Sequence, residues 1–157
     1  SGKSWDAAYP RIVTYALFEN IKTKKKVWVL NTHFDHVGVI ARQKSAEIIL
    51  EKIKTLQKKR NVPVVLTGDF NSVENDSWMK PLFENLQEAR NNSVTKPYAE
   101  KATWNGFKFN EKPSEQIDFI FSSKNNTKVL KYRTIKDFYD YKYPSDHFPI
   151  VAKIQLK

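Results

Sequence analysis

Every histidine in this chain lies within two residues of an aspartate, in Asn31-Thr32-His33-Phe34-Asp35-His36 and in Ser145-Asp146-His147. Two further clusters, Gly68-Asp69-Phe70-Asn71 and Gln116-Ile117-Asp118, carry the same residue types. Each of the four lies within or beside an apolar run that reads as a strand. In α/β sheets the strand ends hold ligands, because a rigid strand aims the side chains of its terminal loop. One Asp or His at one strand end is ordinarily a turn residue. Four clusters that use all three histidines are better explained as parts of one site.

The chemistry follows by residue type. Without cysteine there is no thiolate nucleophile, no sulfur-ligated metal and no disulfide framework. No serine has the flanking glycines of a nucleophile elbow, and four glycines in all leave no glycine-rich phosphate cradle. Carboxylates with Asn and His suit a hard, oxygen-seeking cation, magnesium or manganese in its place. Zinc fits less well, since the one close pair of histidines, His33 and His36, sits in what reads as a loop and not on one face of a helix. Metal-assisted attack of water on phosphorus is the reaction these groups support.

The elements that position them alternate between strand and helix, which makes an α/β protein. Arg11 to Phe18 and Val27 to Thr32 read as a hairpin with a lysine-rich exposed tip, the second strand buried on both faces. Ile40 to Gln57 has a helical apolar stripe, closed by Lys58, Lys59 and Arg60 at its negative end. Pro63 to Thr67 is a strand that Gly68 should break, and Ser77 to Leu86 a helix capped by Asp76 or Ser77. Asn91 to Ser114 is polar and irregular. Strands are expected over Gln116 to Phe121, Lys128 to Ile135 and Phe148 to Gln155, with a tyrosine-rich loop between the last two. Packing of that loop's rings against neighbouring loops is favoured over stacking on a base or sugar.

The 157 residues make about one domain, and 27 Lys and Arg against 17 Asp and Glu give a formal charge of +10. That excess suits polyanionic partners, whether nucleic acid, anionic lipid headgroups or phosphorylated small molecules, or it serves solubility alone. No apolar run approaches a transmembrane segment, and no signal peptide pattern opens the chain, so the compartment stays open.

Taken in order, Asn31-Thr32-His33-Phe34, Gly68-Asp69-Phe70-Asn71, Ile117-Asp118-Phe119-Ile120 and Ser145-Asp146-His147-Phe148-Pro149-Ile150 resemble motifs of the endonuclease/exonuclease/phosphatase (DNase I-like) family. That family includes the pancreatic-type DNase, abasic-site endonucleases, neutral sphingomyelinases, inositol polyphosphate phosphatases and deadenylases. Trp5-Asp6-Ala7-Ala8-Tyr9-Pro10-Arg11 and Ala41-Arg42-Ser45-Ala46 look like a bacterial branch. The resemblance implies magnesium-dependent hydrolysis of a phosphate ester in nucleic acid, an inositol phosphate or a phospholipid headgroup. It implies Asp69 as general base and Asn71 as a ligand of the attacking water or a phosphoryl oxygen. His33 and His147 would contact the scissile phosphate, Asp118 would orient His147, and Asp146 would face the metal. Arg11, Asn31 and Arg42 are candidates for substrate contacts, and Asp35 and His36 weaker ones.

The resemblance also implies an α/β/β/α sandwich of two sheets, which usually needs a longer chain. Its first strand carries an Asn and a following segment the Glu that is its principal metal ligand, and nothing before Arg11 supplies either. The expectation is a single partial domain over residues 1–157, truncated at its N-terminus. Such a piece would expose a sheet face and either dimerise or associate with the absent segment. It would be impaired as an enzyme alone, which leaves a nucleic-acid-binding or purely structural fragment as the alternative.

Overall fold

The computed structural model describes residues 3–157. The elements run β1 (Val13–Glu19), β2 (Lys26–His33), α1 (Val39–Lys59), β3 (Val64–Asp69), α2 (Lys80–Asn85), β4 (Gln87–Glu88), β5 (Asp118–Ser122), β6 (Thr127–Thr134) and β7 (Ile150–Leu156). They form a five-stranded sheet in the order β1-β2-β3-β5-β4 and a two-stranded sheet of β6 and β7.

The expected hairpin is present: β1 and β2 pair antiparallel from Val13 opposite Thr32 to Glu19 opposite Lys26. Asn20 shapes its turn, its Oδ1 accepting the amides of Lys22 at 3.0 Å and Thr23 at 2.8 Å. β2 and β3 are parallel, so the chain must cross over between them, and α1 is that crossover. The helix buries Ala46, Ile49, Leu50, Ile53 and Leu56 against the sheet and ends on Lys58 and Lys59. Its first amides are satisfied from a distance. Asp6 accepts from Ile40 at 3.1 Å and Ala41 at 2.8 Å, which gives the Trp5-Asp6-Ala7 stretch a structural role.

One pattern fixes the polar clusters. His33, Asp69, Asp118 and His147 are each followed by a phenylalanine, and Phe34, Phe70 and Phe119 are fully buried, with Phe148 nearly so. Successive residues of an extended chain point to opposite sides, so each buried ring holds its polar neighbour on the other side. Phe70 meets Phe34, Phe119 and Phe121 edge-on at 4.9, 5.8 and 5.5 Å, a shared anchor under three strand ends.

Three expectations need correcting. β2 is covered on one face only: Leu30 and Thr32 are buried, Val27 and Val29 half-buried, and Asn31 and His33 exposed. The smaller sheet packs over Val65 and Ile120 near the middle of the larger one and leaves β1 and β2 open. Gly68 does not break β3. It lies where a Cβ would come within 2.1 Å of the Thr32 carbonyl, so glycine lets the two strands approach. The second helix is six residues, Lys80–Asn85, without a side-chain cap. Asp76 instead closes the preceding turn by accepting the Val73 amide at 2.9 Å. No helix among the described residues is long and apolar enough to cross a membrane.

Candidate active site

Strand register assembles the site. The parallel pairing of β2 and β3 sets His33 opposite Asp69, and the antiparallel pairing of β3 and β5 sets Asp69 opposite Asp118. His147 arrives from the loop before β7, where it bridges to Trp104. Its Nδ1 lies 2.8 Å from Asp118 Oδ2, a geometry in which the ring donates to the carboxylate. That leaves Nε2 directed at Asp69, 3.8 Å from Oδ2. His33 Nε2 reaches the same Asp69 oxygen at 3.2 Å. Asn71, at a φ of 45°, turns the chain so that its amide donates to Asp69 Oδ1 at 2.8 Å. Its side-chain Nδ2 donates to the Phe34 carbonyl at 3.0 Å, tying the loop after β3 to the loop after β2.

The electrostatics match this crowding. Asp69 is pushed above the ordinary carboxylate range, first by burial and then by the charge of Asp118, against the Asn71 amide and the two histidines. For His147, burial favours the neutral ring. The hydrogen bond and charge of Asp118 outweigh it, with help from Asp69 and Asp146, and the imidazole is raised above its usual value.

Asp69, Asp118 and His147 each offer a ligand atom within 4.8 Å of the others. Two facing carboxylates, one of them already disfavoured as an anion, are a donor set that a cation would relieve. Asp146 adjoins this group: its charge acts on His147, and its carboxylate lies 3.5 Å from the Ser145 hydroxyl.

The remaining candidates separate. Asn31 shares the face of His33 and Asp69 and donates to Thr67 Oγ1 at 2.9 Å. Arg11 meets His36 Nδ1 at 3.3 Å and Asp35 Oδ2 at 3.7 Å. Arg42 donates to the Asp35 carbonyl at 3.0 Å and lies over the Trp78 ring at 5.3 Å. Asp35 is buried and accepts the amides of Tyr9, Val37 and Gly38. Arg11, His36 and Arg42 thus form a second polar cluster with Asp35.

Sequence alone does not single out Thr103 and Asn105, both buried in the stretch read as irregular. Thr103 Oγ1 accepts the amides of Ile117 at 3.0 Å and Asp118 at 3.1 Å. Asn105 Nδ2 donates to the Ser145 carbonyl at 3.1 Å, and its amide donates to Asp146. Together they clamp the loops that carry Asp118 and His147. Their one visible signal is a pair of small polar residues flanking Trp104.

Residues 4–147 match the model of the Endonuclease/Exonuclease/phosphatase family. The chain belongs to that family. A solved mannosyl-6-phosphatase of Bacteroides thetaiotaomicron superimposes with a TM-score of 0.92 at 32% identity, covering 99% of this chain and 61% of that one. Among curated relatives, Sphingomyelinase C of Bacillus cereus is 26% identical over 87% of this chain and 50% of its own length. The CCR4-Not complex 3'-5'-exoribonuclease subunit Ccr4 of Debaryomyces hansenii is 25% identical over 93% of this chain and 22% of its own. The chain thus spans half or less of these two curated relatives. The two sheets and crossover helix are those of the DNase I-like fold, and relatives in the family are phosphoric ester hydrolases.

Proposed function

We propose that this chain carries the reacting residues of a magnesium-dependent phosphoric ester hydrolase that uses a water activated by Asp69. The observation that carries the reading is the convergence of both histidine Nε2 atoms on one oxygen of a raised, half-buried carboxylate. A carboxylate displaced toward neutrality takes a proton from water more readily than an ordinary one. Asn71 holds Asp69 in place through its amide, and its side chain would bind the same water or a phosphoryl oxygen. His147, kept cationic by Asp118, and His33 present ring N–H groups to the charge that grows on the phosphoryl oxygens. Asp146 would face the cation, which when bound supplies Lewis-acid polarisation of the phosphoryl group. Asn31 extends the polar face along which a substrate would lie.

Similarity to the mannosyl-6-phosphatase over 99% of the chain favours a phosphorylated sugar as substrate. A second reading, a basic module that holds nucleic acid without cutting it, rests on one feature. Lys131 and Lys153 face each other across β6 and β7, where like charges are destabilising, and Arg133 lies over Tyr98 at 5.1 Å beside them. The half-exposed Phe18 beside Val27 and Val29 supports a further proposal, that a second copy or another segment of a larger domain covers that face.

The test is hydrolysis of p-nitrophenyl phosphate and bis-p-nitrophenyl phosphate with and without magnesium, beside Asp69→Ala. Metal-dependent turnover that falls at least about 100-fold in the variant is expected. Turnover that survives Asp69→Ala would sink the mechanism. Salt-sensitive RNA binding with no turnover at all would favour the second reading.

A further inference from the structure

A pocket of about 150 Å³ adjoins the candidate site, with His147 in one wall, Asp137, Tyr139, Tyr143 and Ser145 around it, and Ile135, Pro144, Phe148 and Pro149 completing a largely apolar lining. No lysine or arginine lines it, in a chain whose formal charge is +10. Its one acidic group is Asp137. A carboxylate in such a place repels a second phosphate and accepts hydrogen bonds from hydroxyls. The Ser145 hydroxyl accepts the His147 amide at 3.1 Å and donates to Asp146 Oδ1 at 3.5 Å, which leaves its oxygen one further lone pair as an acceptor.

The aromatic side of the pocket is built rather than loose. Tyr139 and Lys142 exchange backbone hydrogen bonds of 2.9 Å in both directions, closing a two-residue turn. The turn residues Asp140 and Tyr141 have φ of 48° and 58°, left-handed values that glycine or asparagine would take more easily. Phe109 meets Phe138, Tyr141 and Tyr143 at 4.8, 5.6 and 5.4 Å, and Tyr143 meets Phe148 at 5.0 Å. These contacts account for the rings that pack, as the sequence favours. Tyr139 is the exception: it lines the pocket, is 68% exposed, and stacks on no aromatic ring among the described residues.

We infer that this pocket is the leaving-group subsite and takes a single neutral polyhydroxylated ring, a sugar, against the face of Tyr139 with its hydroxyls on Asp137 and Ser145. The inference rests on the reading of the Asp69 group as the phosphate site. A nucleic acid strand would carry further phosphates past Asp137. A sugar ring has an apolar face for the tyrosine and hydroxyl edges for the acceptors.

Binding by the whole chain, followed by saturation-transfer NMR and titration, tests this with mannose 6-phosphate, glucose 6-phosphate, inorganic phosphate and a thymidine dinucleotide. At least one hexose 6-phosphate should bind, be displaced by inorganic phosphate, and weaken about five- to tenfold in Tyr139→Ala. Inorganic phosphate affinity should stay unchanged, and Tyr139→Phe should restore the sugar phosphate. Asp137→Asn should also weaken the sugar phosphate selectively. Failure of both hexose phosphates to bind, equal weakening of inorganic phosphate, or a dinucleotide preferred through Tyr139 would each overturn the subsite. Sugar phosphate binding that depends on Tyr139 without turnover would sink the hydrolase reading and leave the subsite. Hexose 6-phosphate turnover indifferent to Tyr139→Ala would sink the subsite alone.

Discussion

Two aspartates near neighbouring strand ends show how one side chain serves opposite purposes. Asp35 follows β2, is 1% exposed and accepts three backbone amides, from Tyr9 at 3.0 Å, Val37 at 2.9 Å and Gly38 at 2.7 Å. Burial alone would raise its pKa, yet those donors outweigh it and hold the carboxyl well below the ordinary range. Asp69 ends β3 with one backbone amide, from Asn71, and another carboxylate opposite. There burial and like charge win, and the carboxyl is raised. Asp35 is complete without a ligand and fastens the N-terminal segment to the start of α1. Asp69 is left wanting a proton or a cation, the condition expected of a reacting group.

After loss of Asp69 itself, the largest effect expected from breaking this contrast comes from Asp118, which shapes the environment of Asp69 and His147 together. Asp118→Asn should lower turnover by about 10- to 100-fold, as loss of an orienting carboxylate does. It should also move the pH profile. His147 has a folded pKa above its ordinary 6.5, so the pairing contributes stability fully below 6.5 and loses it as pH rises through the raised value. Activity that needs the cationic ring should fall over the same rise. In Asp118→Asn that alkaline limb should shift to lower pH. An unmoved limb would mean that Asp118 does not hold the proton on His147.

A smaller effect, read in stability, sharpens the comparison directly. Asp35→Asn leaves buried backbone donors without a full set of acceptors and should cost about 1–3 kcal/mol in denaturant unfolding. Asp69→Asn should leave stability unchanged or raise it in metal-free protein, because it removes a desolvated charge facing another. The pH dependences differ in sign. The folded pKa of Asp35 lies below its ordinary 3.8, so its contribution is present above 3.8 and is lost as pH falls toward the folded value. The folded pKa of Asp69 lies above 3.8, so ionising it erodes stability as pH rises through that window. Equal destabilisation by the two variants would erase the distinction.

The grouping of the candidate site is legible in the sequence because its parts obey a local rule. His33-Phe34, Asp69-Phe70, Asp118-Phe119 and His147-Phe148 alternate a polar group with a ring, and an extended chain puts one outside and the other in the core. The parts that escaped are long-range. Thr103 holds the Asp118 amide from 15 residues away, and Asp6 supplies an acceptor to the first turn of α1 from 34 residues away. Gly68 looks like a breaker until its neighbour strand is known, since only the Thr32 carbonyl explains why a side chain is excluded. The open face of β2 escaped too: its apolar run resembles a doubly covered strand, but residue types do not reveal how far the smaller sheet extends over it.

Arg42 gives the smallest effect and decides whether the Asp35 cluster reaches into the chemistry. Its resemblance to a substrate contact competes with its surroundings: it is 9% exposed, donates to the Asp35 carbonyl and lies over Trp78. Its Nε is buried without a partner, so the guanidinium is held by the fold on one side and incompletely satisfied on the other. Arg42→Met keeps the length and the contact with Trp78 while removing the charge and the hydrogen bond. A supporting role predicts a stability loss of about 1 kcal/mol, with KM changed less than about twofold. A rise in KM of about tenfold or more with unchanged stability would instead bring Arg42 to the substrate, and the Asp35 cluster would then be its mount.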